Sequence, residues 1–225
     1  MFLIVKCRKR KYNTGKFMKI IIFGIQGGGK GTQGKLLKER FGFSHITTGE
    51  VFRNHMEADT ELGKIAKGFI NNGKLVPDNY VIDIVKVELE KAGEEFVMDG
   101  FPRNEVQQKY LLDNYDIDMA VLLKLDKQKA IERLTSRRVC RKCQQEYNLV
   151  SSPTKLEGVC DKCGGVVNLR EDDVEFSIIR RIERFEASTK VVIENFRKMN
   201  KLIELDGDRS MPEIHRDIVE KLNLK

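Results

Sequence analysis

The stretch Gly24-Ile25-Gln26-Gly27-Gly28-Gly29-Lys30-Gly31-Thr32 constrains this chain more than any other. It follows the apolar run Ile20-Ile21-Ile22-Phe23 and opens a helical pattern from Gln33 to Arg40. That order of strand, glycine loop and helix is the setting a phosphate-binding loop needs. Clustered glycines, lacking Cβ atoms, let the backbone curl tightly and aim several N–H groups at one anion, and the dipole of the following helix adds positive potential there. Lys30 extends the reach to the outer phosphates. The spacing fits the P-loop pattern from Gly24 to Gly29-Lys30, except that Gly31 stands where the general motif has Ser or Thr; the hydroxyl comes one residue later, at Thr32. Direct metal ligation by the residue after Lys30 is therefore closed. A ligand-free glycine turn is the poorer reading, because five glycines in nine residues weaken a fold that has no use for close backbone approach.

A chain of 225 residues holds one core-bearing domain with an insertion, or two small domains. Its 40% hydrophobic and 33% charged residues are those of a soluble globular protein, and no apolar run approaches the roughly 20 residues of a membrane helix. The net charge of +7 suggests nucleic acid, but Lys6, Arg8, Lys9, Arg10, Lys11 and Lys16 account for nearly all of it. The basic balance belongs to residues 1–17, not to the rest. This segment is not a secretory signal, since its short apolar Phe2-Leu3-Ile4-Val5 precedes the charges. A disordered extension, or an unused start upstream of Met18, is favoured over an organelle-targeting segment.

Further along, Phe43-Ser44-His45-Ile46 reads as a short strand turning, with Thr47 or Thr48 as cap, into a helix that carries Glu50 and Arg53. No Ser, Cys or acid partner pattern surrounds His45, which is read as packed or surface-exposed. Helices are expected over residues 61–71 and 78–92, with Gly73 as a C′ residue and Pro77-Asp78 as the second start. Phe96-Val97-Met98 reads as a buried strand. Asp99-Gly100-Phe101-Pro102-Arg103 lies at its carboxyl end, where open parallel α/β sheets bind ligands. A strand over 119–125 precedes a helix over 127–138, which would put Arg133 and Arg137 on one side. A long helix follows Arg170-Glu171-Asp172-Asp173 as far as Met199, then a strand over 201–205, the turn Asp206-Gly207-Asp208-Arg209 and a terminal helix from Met211.

Cys140-Arg141-Lys142-Cys143 and Cys160-Asp161-Lys162-Cys163, sixteen residues apart, form a four-cysteine zinc pattern. Disulfides are the bland alternative, disfavoured by the ribbon-like spacing and the lack of a secretion signal, so a reducing cytoplasm is expected. With no open coordination position or adjacent acid or base evident, the zinc is read as structural. Lys142, Lys155 and Lys162 are offset by Glu146, Glu157 and Asp161, and no basic patch interleaved with aromatics supports a nucleic-acid site. Cys7 is left over in the tail.

Taken together, these strings resemble the nucleoside monophosphate kinases, and specifically the adenylate kinases with a zinc-binding LID. The resemblance spans Met18 to Leu224. It implies a P-loop NTPase-type α/β fold, a parallel sheet with helices on both faces, interrupted by two lobes. Residues 18–46, 77–135 and 174–225 would form the core, 47–76 an AMP-binding lobe and 136–173 the zinc-ribbon LID. On ATP it implies Gly27, Gly28, Gly29, Lys30, Gly31, Thr32, Arg133, Arg137, Glu146, Tyr147 and Arg209. On AMP it implies Thr48, Arg53, Lys74, Leu75, Val76, Gly100, Phe101, Pro102, Arg103, Gln107, Arg170 and Arg181. Asp99 would sit near Mg²⁺ through waters, and Gln107 would read the adenine edge. Thr47, Glu50 and Asn104 replace the Ser, Asp and Thr that the family commonly has there.

The implied reaction is MgATP + AMP to two ADP by direct in-line transfer. Phosphoryl transfer asks for positioning and charge neutralisation more than for a covalent intermediate, and Lys30, Arg103, Arg137, Arg170 and Arg181 with Mg²⁺ suit that need. A monomer is expected, working on soluble nucleotides with neither nucleic acid nor membrane as partner. A UMP/CMP or GMP kinase, and more distantly a zinc-ribbon nucleic-acid adaptor, are the alternatives.

Overall fold

β1 (Lys19–Gly24) forms the centre of the molecule because Ile20, Ile21, Ile22 and Phe23 are all buried, two on each face of a sheet. The computed structural model describes residues 17–71, 74–170 and 172–224. The basic extension with Cys7, and the expected C′ residue Gly73, lie outside the described residues.

Five parallel strands, β1 with β2 (Ser44–Thr47), β3 (Phe96–Asp99), β4 (Met119–Lys124) and β8 (Leu202–Asp206), pair in the order β2-β3-β1-β4-β8. On one face Ile20, Ile22, Val97, Val121 and Leu123 pack against Leu37 and Phe41 of α1 (Lys30–Phe41) and Ile214 and Ile218 of α9 (Met211–Lys221). On the other, Ile21, Phe23, Phe96 and Met98 meet Val85 and Leu89 of α4 (Asp78–Ala92), Leu111 of α5 (Glu105–Asn114) and Phe196 of α8 (Lys190–Lys198). Helices therefore cover both faces, as the sequence implied. Two shorter helices, α2 (Thr48–Glu57) and α3 (Glu61–Ile70), fold against each other between β2 and α4. Among the described residues no helix is long and apolar enough to cross a membrane.

Two helix boundaries depart from the sequence expectation. The helix expected over 127–138 is α6 (Lys127–Thr135), and Arg137 opens a strand, β5 (Arg137–Cys140). Arg133 and Arg137 therefore do not share a helix face. Residues from Arg137 pair with β6 (Glu146–Asn148) and β7 (Val167–Leu169) in a separate antiparallel sheet, Arg137 opposite Asn148 and Arg138 opposite Leu169. These pairings are non-local, so helical spacing could not foretell them. The long C-terminal helix is also not uniform. α7 (Glu175–Arg184) passes into α8 through a π-helical turn over Phe185–Thr189.

Candidate active site

All parallel strands end on one side of the sheet, and the conspicuous loops meet there. Gly27 (φ +81°) and Gly29 (φ +83°) take left-handed backbone that side chains with a Cβ rarely adopt, which shapes the loop between β1 and α1. Lys30 folds back into it, its Nζ donating to the Gly24 and Ile25 carbonyls at 2.9 Å each. Above the loop is a cleft of about 930 Å³, and beside it a smaller cavity of about 130 Å³.

Every expected nucleotide residue lines one or both spaces. Gly27, Gly28, Gly29, Lys30, Gly31, Thr32, Asp99, Phe101, Pro102, Arg133, Arg137, Glu146, Tyr147 and Arg209 face the larger cleft. Thr48, Lys74, Leu75, Val76 and Gln107 face the smaller. Gly100, Arg53, Arg103, Arg170 and Arg181 line both. Tyr147 also turns its hydroxyl toward the cysteines, 3.3 Å from Cys160 Sγ, and accepts from Asp161 N at 2.9 Å. Arg133 is tied to the β8–α9 turn, donating to Gly207 O at 3.0 Å and Asp208 at 3.2 Å, while Arg209 is paired with Asp217.

Arg137, Arg170 and Arg181 are held in place by carboxylates of this chain. Arg137 grips Asp173 in a two-pronged pair at 2.7 and 2.8 Å. Arg181 donates to Asp172 Oδ2 at 3.1 Å, the Asp172 carbonyl at 2.8 Å and Asp173 Oδ1 at 2.6 Å, and Arg170 is paired with Asp172. Such forked pairs orient guanidinium planes. Burial pushes the Asp172 and Asp173 carboxyls up, but the arginine hydrogen bonds and charges outweigh it and hold both well below the usual range. Burial, with Arg103, Arg137 and Arg181 adding and Asp99 opposing, brings Lys30 down to about 8. Burial and then Arg170 bring Arg53 down to about 10. Burial is the leading cause in both, with neighbouring arginines adding to it, and an anion bound between these cations would oppose both effects.

Asp99 closes β3 beside the loop. Its carboxylate is held by His45 Nε2 at 2.9 Å and Thr47 Oγ1 at 3.2 Å, and these bonds, with Lys30, keep it ionised against the opposing effect of burial. His45 is packed, as one of the two sequence readings had it, yet it does have an acid partner: β2 pairs with β3, which brings Asp99 alongside from 54 residues away. Room for the imidazole comes from Gly34, where a Cβ would lie 2.2 Å from His45 Nε2. An ionised carboxylate beside a phosphate loop suits Mg²⁺, which prefers oxygen ligands and retains several waters.

The four cysteine sulfurs lie within 4.8 Å of one another, Cys140 to Cys163 at 3.5 Å and Cys143 to Cys160 at 3.6 Å. No disulfide links them. Four thiolates about 2.3 Å from one tetrahedral zinc would stand roughly 3.8 Å apart, so the donor set fits the metal. The π-helical turn also brings Phe185, Ser188 and Thr189, none of them expected from the sequence, to the two cavities, Phe185 and Thr189 to both and Ser188 to the smaller. Thr189 Oγ1 donates to the Arg103 carbonyl at 3.0 Å. No local motif marks that turn.

The adenylate kinase family model matches residues 22–201. The adenylate kinase of Alkaliphilus oremlandii is 39% identical over 212 residues, 91% of this chain and 98% of its own length. That of Clostridium acetobutylicum is 40% identical over 208 residues, covering 89% and 97%. That of Methanocella arvoryzae is 38% identical over 208 residues, covering 89% and 96%. With the match running through the glycine loop, the arginine–aspartate cluster and the cysteine ribbon, the chain belongs to the adenylate kinase family.

Proposed function

We propose that the larger cleft takes MgATP and the smaller cavity AMP, with the γ-phosphoryl group passing directly between them to give two ADP. The observation that carries this reading is the row of arginines common to both spaces: Arg53, Arg103, Arg170 and Arg181 line each. Two polyanions that repel one another need shared cations at their junction. Lys30 and the loop N–H groups would hold the ATP phosphates, exchanging carbonyl partners for phosphate oxygens. Arg53 and Arg103 would hold the AMP phosphate, and Arg137, Arg170 and Arg181 would neutralise charge on the migrating group, acting by position and electrostatics with no covalent intermediate. Mg²⁺ bound with the nucleotide supplies further neutralisation, and Asp99 would hold its waters.

The same reading makes 47–76 the AMP-binding lobe and 136–173 a LID whose closure excludes water and suppresses hydrolysis of ATP. Zinc at Cys140, Cys143, Cys160 and Cys163 would staple that LID and take no part in the chemistry. The protein works as a cytoplasmic monomer on free nucleotides. ADP formation measured with AMP, CMP, UMP and GMP as acceptors tests the substrate, with AMP expected to be preferred; a preference for another monophosphate overturns it. Lys30→Met should lower kcat by about 10²- to 10³-fold while leaving bound zinc unchanged. Activity near the parent level would show that Lys30 does not hold the ATP phosphates.

A further inference from the structure

Gln107 is buried, 1% exposed, on the wall of the smaller cavity, and both ends of its amide are already engaged. Its Oε1 accepts from Arg103 N at 2.8 Å, and its Nε2 donates to Asp78 Oδ1 at 2.7 Å. The same Asp78 oxygen accepts from Asn104 Nδ2 at 2.9 Å. Asn104 caps α5 in turn, its Oδ1 accepting from Gln107 N at 2.9 Å. The Asp78 side chain thus joins the first residue of α4 to the first turn of α5.

A glutamine amide left to itself is nearly two-fold symmetric, and half a turn about its last torsion exchanges acceptor and donor. In this cavity that turn is blocked. A carboxylate only accepts and a backbone N–H only donates, so the reversed amide would set oxygen against carboxylate and N–H against N–H, with both mismatches buried. The locked amide keeps one lone pair and one N–H unspent, in a fixed order.

That order matters to a purine. A 6-aminopurine offers a donor at its amino group and an acceptor at ring N1, and a 6-oxopurine offers the reverse. An amide free to turn would serve both. We propose that Asp78 is a specificity-determining residue: by fixing the orientation of the Gln107 amide, it makes the cavity accept a 6-amino purine monophosphate and reject the 6-oxo analogue. Asn104, which stands where the family commonly has Thr, reinforces the lock by supplying an amide donor that holds the Asp78 oxygen from a second side. This inference depends on the reading of Gln107 as the contact to the base edge.

The test compares kcat/KM for AMP and for inosine monophosphate, at fixed MgATP, in the full chain and in Asp78→Ala, Asp78→Asn and Gln107→Ala variants. The ratio is taken within one preparation, so any unfolded fraction cancels. Asp78→Ala should lower the AMP preference by at least about tenfold, equivalent to about 1.4 kcal/mol, through a raised KM for AMP and a lowered one for inosine monophosphate. Asp78→Asn keeps an oxygen for both donors and should stay within about threefold of the parent ratio. If Gln107→Ala loses the preference while Asp78→Ala keeps it, the lock is refuted and the base reading survives. If Gln107→Ala keeps it, the base reading fails and the lock with it.

Discussion

The parallel sheet and the cysteine ribbon solve the same problem by opposite means. In the sheet, Ile20, Ile21, Phe96 and Met98 are all at most 1% exposed and packed between helices, with Phe196 of α8 buried against one face. Burial of apolar surface alone can stabilise such an assembly. In the ribbon, the buried apolar set is Val139, Cys140, Cys160 and Val167, while Val150, Leu156 and Val166 are 82%, 66% and 60% exposed. So small a cluster cannot offset the entropy of ordering its residues. Zinc held by the four cysteines would supply instead bonds that need no core. With zinc bound there, two regions of one chain would draw their stability from different sources, and separate perturbations should reach them.

The largest separation should come from metal removal. A zinc site of this kind contributes on the order of 10 kcal/mol to the folding of its lobe, so a strong chelator, or Cys140→Ser, should melt the ribbon and leave the sheet. Hydrogen exchange would show it: amides over 137–169 lose protection and β1, β3 and β4 keep theirs. Protection of the ribbon after complete loss of zinc would erase the contrast. The reciprocal experiment acts on the sheet. Phe196→Ala should cost about 3–5 kcal/mol of global stability in a denaturant titration, with zinc stoichiometry unaltered.

The junction between the two regions responds to acid. Asp172 and Asp173 have folded-state pKa values depressed by their arginines, so their stabilisation is present above the unfolded carboxyl value and disappears as pH falls through the folded one. Denaturation midpoints should hold from neutral pH down to about 4 and fall below it. Asp173→Asn, which strands the buried Arg137 and Arg181 without that charge, should cost about 3–5 kcal/mol at pH 7 and flatten the acid limb. A variant with the parent acid limb would assign that limb to other carboxylates.

The smallest effect is expected where the ribbon touches α2. Gln144 follows the first cysteine pair at φ +57°, where its counterpart after the second pair is Gly164 at φ +69°. Its Nε2 donates to Glu57 Oε1, at the end of α2, at 2.8 Å. Gln144→Gly relieves left-handed strain and removes that link, so the ribbon's stability should change by less than about 1 kcal/mol. Faster separation of dyes placed on the ribbon and on α2 would reveal the lost contact; an unchanged rate would leave the link without mechanical weight.

Local chemistry made much of this molecule legible. The glycine loop needed only its neighbours to be read, because strand, turn and helix signals are contiguous. The two cysteine pairs were equally plain, since ligand spacing is a property of short segments. α4 runs over the residues its capping signals marked, 78 to 92. The failures share one cause. Arg137 looked helical until pairing with Asn148 and ionic contact with Asp173 claimed it, and His45 looked partnerless until β3 brought Asp99 to it. The π-helical turn at Phe185 has the same apolar periodicity as the helices around it and left no sign in composition.

The sequence by itself determined the phosphate loop, the metal-binding quartet, the sheet class and the family, because each is written in short-range spacing that physics reads without knowing where the chain goes next. The tertiary structure decided which aspartate restrains which arginine, which acid faces His45, and which way the Gln107 amide points. Those outcomes depend on pairings between residues up to tens of positions apart, and a hydrogen bond has a direction only once both its partners have been brought together.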